Sequence, residues 1–168
     1  MNGLVFLSSL LVDVTRMMKQ KLSLKGRALR YLSMREHSRI ELVRKLSPYA
    51  EEAEEVEVVL NWLEASNFMS AERFSDSLVN RRSSRFGNQR ILAELQTHQL
   101  DDVEIQRVKE NLSESELERA LAVLHRKFPH APVDFEERLK QSRFLQQRGF
   151  SGKSIQGAMR VEREDEAE

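Results

Sequence analysis

Apolar positions recur every three to four residues along almost the whole chain. Val56, Val59, Leu60 and Leu63 form an i, i+3, i+4, i+7 stripe, and Leu117, Ala120, Leu121, Leu124 and Phe128 form another. Ala28, Leu29, Tyr31 and Leu32 mark a third. This spacing puts one apolar face on an α-helix. No segment alternates apolar and polar residues as a half-buried strand does. Ser38 with Glu41, Asp101 with Glu104, and Ser113 with Glu116 each set a side-chain oxygen three residues ahead of a glutamate. Such pairs form capping boxes at helix N-termini. Asn67 and the segment FPHAP (Phe128 to Pro132) read as stops.

One device occurs twice, in REHSRIELVRKL (Arg35 to Leu46) and SSRFGNQRILAEL (Ser83 to Leu95). Gly87 takes the place of Ser38, and Ile91 and Leu95 then correspond to Leu42 and Leu46. Glycine is an acceptable N-cap, so both stretches read as a turn into a helix. The combined signals predict helices near 25–36, 39–49 and 52–66, then 71–84, 88–99 and 102–112, then 114–128, 134–148 and 152–161. The predicted fold class is all-α: an elongated, curved array of three tandem three-helix repeats over 25–69, 70–112 and 113–161. Residues 1–24 form an apolar and basic extension, and 162–168 an acidic tail. One such unit buries too little surface alone, so neighbours are expected to stack.

Composition agrees with helices joined by short turns: the chain has six Gly and three Pro in 168 residues. It has no cysteine, which removes disulfides, thiolate metal sites and a cysteine nucleophile, and suits a reducing cytoplasm. The net charge of zero conceals segregation. Arg16 to Tyr49 carries ten Lys/Arg against two Asp/Glu, whereas Glu51 to Glu64 carries six Glu and no cation. A segregated basic face can act on an anionic partner. The apolar run Gly3 to Val12 lacks the flanks of a signal peptide and is too short to span a bilayer. It reads as a docking helix start, and a membrane adaptor using residues 3–18 is a minor alternative.

Little points to catalysis. GFSGKS (Gly149 to Ser154) ends like a phosphate-binding loop, but Gln147 stands where that motif needs its first glycine, and the preceding run is helical. Ser151 reads instead as an N-cap. His37, His98, His125 and His130 show no i, i+4 metal spacing and are expected in turns or at the surface, so no metal or cofactor is assigned. Trp62 is expected in the core.

The arginines carry the candidate chemistry. Arg27, Arg30, Arg35, Arg39, Arg44 and Lys45 flank the first turn, and Arg81, Arg82, Arg85 and Arg90 the second. Helical spacing pairs Glu41 with Arg44 and Lys45, and Glu94 with Arg90. Arg81, Arg82 and Arg85 have no partner at such spacing. The planar guanidinium grips phosphate or carboxylate with two hydrogen bonds, which makes these ten residues a candidate partner-binding surface.

The string ALRYLSMREHSRIELVRKL (Ala28 to Leu46) resembles the opening repeat of the RecX family of bacterial recombination regulators. ERFSDSLVNRR (Glu72 to Arg82), FGNQRILAEL (Phe86 to Leu95) and RFLQQRGFSGKSI (Arg143 to Ile155) resemble the family in the same order. FMSAERF (Phe68 to Phe74) departs from the Leu-x-Asp-like start of the family's second repeat. The resemblance implies a non-enzymatic, cytoplasmic, monomeric regulator of RecA–DNA filaments. It would lie in the filament groove and damp filament growth, strand exchange, ATP hydrolysis and co-protease activity. Single- or double-stranded DNA, bound without sequence specificity, is a further expected partner, and no membrane is. The short turns at Ser38 and Gly87 leave one rival, a helix-turn-helix transcription regulator.

Overall fold

The computed structural model describes residues 22–161, and within them the periodicity resolves into eight α-helices, with no strand. Helices α1 (Leu24–Met34), α2 (Arg39–Leu46) and α3 (Ala53–Ala65) form the first unit, with a single 3-10 turn, Ser47–Tyr49, after α2. Helices α4 (Ala71–Ser83) and α5 (Asn88–Gln96) join the first half of α6 (Asp102–Lys127) in the second. The second half of α6 packs with α7 (Phe135–Gln147) and α8 (Gly152–Ala158) in the third. The extension over 1–21 and the tail over 162–168 lie outside the described residues.

The caps form where hydroxyl and carboxylate side chains precede the helices. Ser23, Ser70, Asp101, Asp134 and Ser151 each accept the backbone N–H three residues on. Ser38 and Glu41 complete a reciprocal box. Asn67 ends α3 in the left-handed region at φ 57°. The divergent stretch FMSAERF works as a boundary: Met69 is buried in the first core, Ser70 caps α4 and Phe74 enters the second core.

Three small cores follow in chain order. Leu42, Leu46, Val56, Leu60 and Leu63 dominate the first. Phe74, Leu78, Ile91, Leu95 and Val108 form the second, and Ala120, Leu124, Leu145, Phe150 and Ala158 the third. Burying one such side chain stabilises by about 1.5–3 kcal/mol, so a core of this size is marginal alone and the junctions matter.

The second junction overturns one expectation. No break occurs at Ser113, and α6 runs unbroken for 26 residues. Ser113 does not cap; its hydroxyl donates back to the Glu110 carbonyl. The segment contains no Gly or Pro, and Glu104, Val108, Leu112, Glu116, Ala120 and Leu124 recur every fourth residue as one buried row. A buried face that continues past Ser113 outweighs a lone cap signal. Leu117, expected on the stripe, is 44% exposed.

Glu116 consequently points inward, where it is only 5% exposed. Its Oε1 accepts the N–H groups of Asn88 at 2.9 Å and Ser151 at 3.2 Å. Its Oε2 accepts the hydroxyls of Ser151 at 2.6 Å and Ser154 at 2.9 Å. One carboxylate thus serves the N-termini of α5 and α8 together, where amides are unsatisfied and the helix dipole favours negative charge. Burial alone would raise its pKa, but these four donors hold it below the ordinary value.

Around Glu116 two backbones touch. Gly87 N–H donates to the Arg148 carbonyl at 2.9 Å, and Gln89 N–H to that of Gly149 at 3.1 Å. A Cβ on Gly87 would stand 2.3 Å from the Phe150 nitrogen. Gly87 is therefore required by close approach as well as tolerated as a cap. Arg119 closes the far side by donating to the carbonyls of Phe86 at 3.0 Å and Leu112 at 3.1 Å.

The first junction is thinner and polar. Arg73 donates to Glu36 at 2.9 Å, and the His98 ring, packed on Phe74, meets the Ser38 hydroxyl at 2.8 Å.

Glu116→Ala orphans several buried donors and is expected to lower stability by about 2–4 kcal/mol, measured by urea unfolding. A folded-state pKa below the unfolded value means that protonation favours unfolding. The carboxylate's contribution is therefore full above about pH 4.3, the unfolded value, and is lost as pH falls through the folded one. Glu116→Gln should flatten the acid limb of the stability profile. Gly87→Ala is expected to destabilise by about 3 kcal/mol through overpacking, whereas Gly152→Ala, with nothing within 4 Å of its added carbon, should be neutral or stabilising.

Candidate partner-binding surface

The ten predicted cations fall into two classes. Three are held by acids within the fold. Arg35, just past the end of α1, donates to both oxygens of Glu41 at 2.9 and 2.8 Å, while Glu41 completes the Ser38 box. Arg39 reaches from α2 to α3, with Nη1 2.8 Å from Glu64 and Nη2 2.9 Å from Asn61, and also pairs with Glu57. Arg82 grips Glu94 through Nε at 2.9 Å and Nη2 at 2.8 Å. These pairs replace the expected ones of Glu41 with Arg44 and Lys45 and of Glu94 with Arg90. Spacing along one helix cannot see them, because each spans a turn and joins consecutive helices. The bond to Glu41 raises the pKa of Arg35; at Glu41, burial acts upward and Arg35 outweighs it, leaving the carboxyl below its usual range.

The remaining seven keep an uncancelled charge among the described residues. Arg27 stacks over Tyr49 at 3.8 Å, Lys45 lies over Tyr31 at 4.8 Å, and Arg90 covers Phe86 at 4.4 Å. Such cation–π contacts orient a charge without neutralising it. Arg81 donates only to the Ser77 hydroxyl, at 2.6 Å. Arg30, Arg44 and Arg85 are exposed. Trp62 is half-buried against the first core beneath Lys25, as its stripe position suggested.

Three cations outside the ten join this second group from the third unit. Arg85 and Phe86 share a cleft with Arg126, Lys127, Phe144 and Arg148. Arg148 lies over the Phe144 ring at 3.6 Å; burial, then Arg90 and Arg85, lowers its pKa. No local signal joins Arg126, Lys127 and Arg148 to Arg85; the docked junction, with Gly87 N–H bonded to the Arg148 carbonyl, makes them neighbours.

The chain matches two profiles of known domains: the first three-helix domain of RecX over residues 25–63 and the third over residues 114–159. A regulatory protein RecX of Herbaspirillum seropedicae is 56% identical over 145 residues, spanning 86% of this chain and 94% of that one. The chain belongs to the RecX family of regulatory proteins. Regulatory protein RecX of Herminiimonas arsenicoxydans is 55% identical over 150 residues, covering 89% of this chain and 99% of that one. The crystal structure of RecX from Lactobacillus salivarius superposes with a TM-score of 0.67 at 19% identity, covering 81% of this chain and 92% of that one, and so shows the shared fold.

Two histidines of this RecX-family chain lie in turns, as expected, but with their rings turned into the protein. His37 is 3% exposed and donates from Nδ1 to the Arg35 carbonyl at 2.9 Å. His98 is half-buried between units. Ser38 Oγ already accepts the Glu41 N–H, so its own proton is free for an unprotonated Nδ1 on His98. Burial lowers both histidine pKa values; at His98 it outweighs Glu41 and Glu94, while Arg35 and Arg44 act in its own direction.

A histidine that is harder to protonate when folded stabilises fully above its unfolded pKa, about 6.5, and loses that contribution as pH falls. The first junction should therefore loosen as pH falls below about 6.5. Amide protection at α2, corrected for the intrinsic exchange rate, is expected to drop over this range, and His98→Gln should remove most of the change.

Proposed function

We propose that this RecX-family protein is a non-enzymatic regulator that binds RecA recombinase–DNA filaments in their helical groove and inhibits them. It acts as a cytoplasmic monomer whose units, 25–69, 70–112 and 113–161, touch more than one protomer. Filament growth, strand exchange, ATP hydrolysis and co-protease action fall together, because a body in the groove excludes the second duplex and other substrates.

The observation that carries this reading is the set of cations on successive units that no internal acid cancels: Arg27, Arg30, Arg44 and Lys45, then Arg81, Arg85 and Arg90. Several weak contacts on one array raise avidity by orders of magnitude without a tight single site. A transcription-factor reading fits less well. A recognition helix enters a groove by its N-terminal residues, whereas here the start of α5 is covered by Arg148 to Phe150 and Ser38 packs against His98.

Strand exchange and ATP hydrolysis by the recombinase on single-stranded DNA, titrated with this protein, test the proposal. Inhibition should weaken between about 50 and 200 mM salt, as exposed charges are screened. Arg44→Glu combined with Arg85→Glu, neither of which breaks an internal ion pair, should weaken inhibition about tenfold or more with helicity intact. Undiminished inhibition by that folded variant contradicts the basic-surface mechanism.

A further inference from the structure

Between the second and third units, Arg85, Arg126, Lys127 and Arg148 line an open cleft of about 550 Å3, walled by Phe86 and Phe144. No carboxylate lines it, and none of its four cations forms an ion pair among the described residues. Two are already held in place. Arg126 donates to the Ser84 carbonyl at 2.6 Å, and Arg148 donates to the Phe144 carbonyl at 3.2 Å while stacked on that ring. Burial, then Arg90 and Arg85, disfavours the charged form of Arg148. Gathered cations repel one another until acidic groups enter among them.

The chain carries such groups within reach. Residues 162–168, EREDEAE, hold five acids against Arg163, a net charge of −4 to set against the four cations of the cleft. The described chain ends at Val161, three residues after α8. Ser151, which caps α8, follows Arg148 by three residues, and the seven residues of α8 rise only about 10 Å. Seven extended residues span about 24 Å, enough to return past α8 to the cleft. Lys153 and Arg160 are closer along the chain, but both are exposed, where single ion pairs contribute little. In the cleft several carboxylates meet several guanidinium forks, each able to give two hydrogen bonds. A tether this short holds the acids at an effective concentration in the millimolar range, so contacts of modest strength stay occupied.

We propose that the acidic segment 162–168 folds back into this cleft and occupies it, as an internal anion that any external one must displace. The contact lies within one chain and needs no recombinase, so it stands or falls apart from the filament reading.

The test uses the full chain. Because it has no cysteine, Ala167→Cys gives a single position for a nitroxide spin label and keeps every acid of the segment. At about 0.02 M salt the label should broaden the amide resonances of Phe86, Lys127 and Phe144, and at about 0.5 M, where charges are strongly screened, they should recover. Arg85→Gln, Arg126→Gln and Arg148→Gln together should abolish the broadening. Arg126→Gln alone, which loses only a bond to a carbonyl, should weaken it and keeps the test available if the triple variant unfolds. Broadening confined to the surroundings of Lys153 and Arg160, or none at all, overturns the proposal. So does broadening of an unlabelled, isotope-enriched chain by a labelled one, since the segment would then sit in a second copy. Occupancy is read with inorganic tripolyphosphate at the lower salt. Neutralising the segment by Glu164→Gln, Asp165→Asn, Glu166→Gln and Glu168→Gln should tighten tripolyphosphate binding about fivefold or more. The same number of substitutions on the first unit, Glu51→Gln, Glu52→Gln, Glu54→Gln and Glu55→Gln, should change it less than about twofold. The cleft substitutions should weaken it about tenfold. Tripolyphosphate binding that ignores either the cleft arginines or the acids of the segment overturns the proposal, even where the cleft amides broaden.

Discussion

A single buried carboxylate, Glu116, determines how the second and third units meet. Its two oxygens satisfy donors from both units, two backbone amides and two hydroxyls, at the starts of α5 and α8. Neither helix could bury its first turn there without an acceptor. With the acceptor present, the Gly87 and Gly149 backbones come into contact and Arg119 seals the other side. Burying one charge is unfavourable in isolation and becomes tolerable because every lone pair is directed at a donor.

From this constraint the arrangement of the arginines follows. The Gly87–Arg148 backbone bond holds the residue after Phe86 against the residue before Gly149, so Arg85, Arg90 and Arg148 converge. The first junction has no equivalent. Its contacts, Arg73–Glu36 and Ser38–His98, are polar and part-buried, and burial lowers the pKa of the imidazole in one of them. The second junction is therefore expected to be the firmer of the two and the first to respond to pH, and both follow from which side chains face the boundary.

The helices, their caps and the core stripes were legible in the sequence because they rest on local signals: spacing of apolar residues, a hydroxyl three residues before a paired amide, an Asn able to adopt positive φ. Gly87 is the counterpart of Ser38 as its spacing indicates, yet the reason it must be glycine lies 62 residues away at Gly149. Glu116 resembles half of a capping box and is not one. Its position in the row Val108, Leu112, Glu116, Ala120, Leu124 is the available clue, since a glutamate on an apolar row must either break the helix or find donors. The ion pairs escape spacing rules for a similar reason, as Arg35–Glu41 and Arg82–Glu94 cross turns. Arg126, Lys127 and Arg148 cannot be joined to Arg85 without knowing that the third unit folds back onto the start of α5.

Native-state hydrogen exchange at the Asn88 and Ser151 amides tests the shared-carboxylate junction most directly. If Glu116 couples the two units, both amides open with one common free energy that shifts together as denaturant is added. A Ser151 amide that exchanges orders of magnitude faster than a still-protected Asn88 amide would show that the third unit opens independently, and would contradict the account.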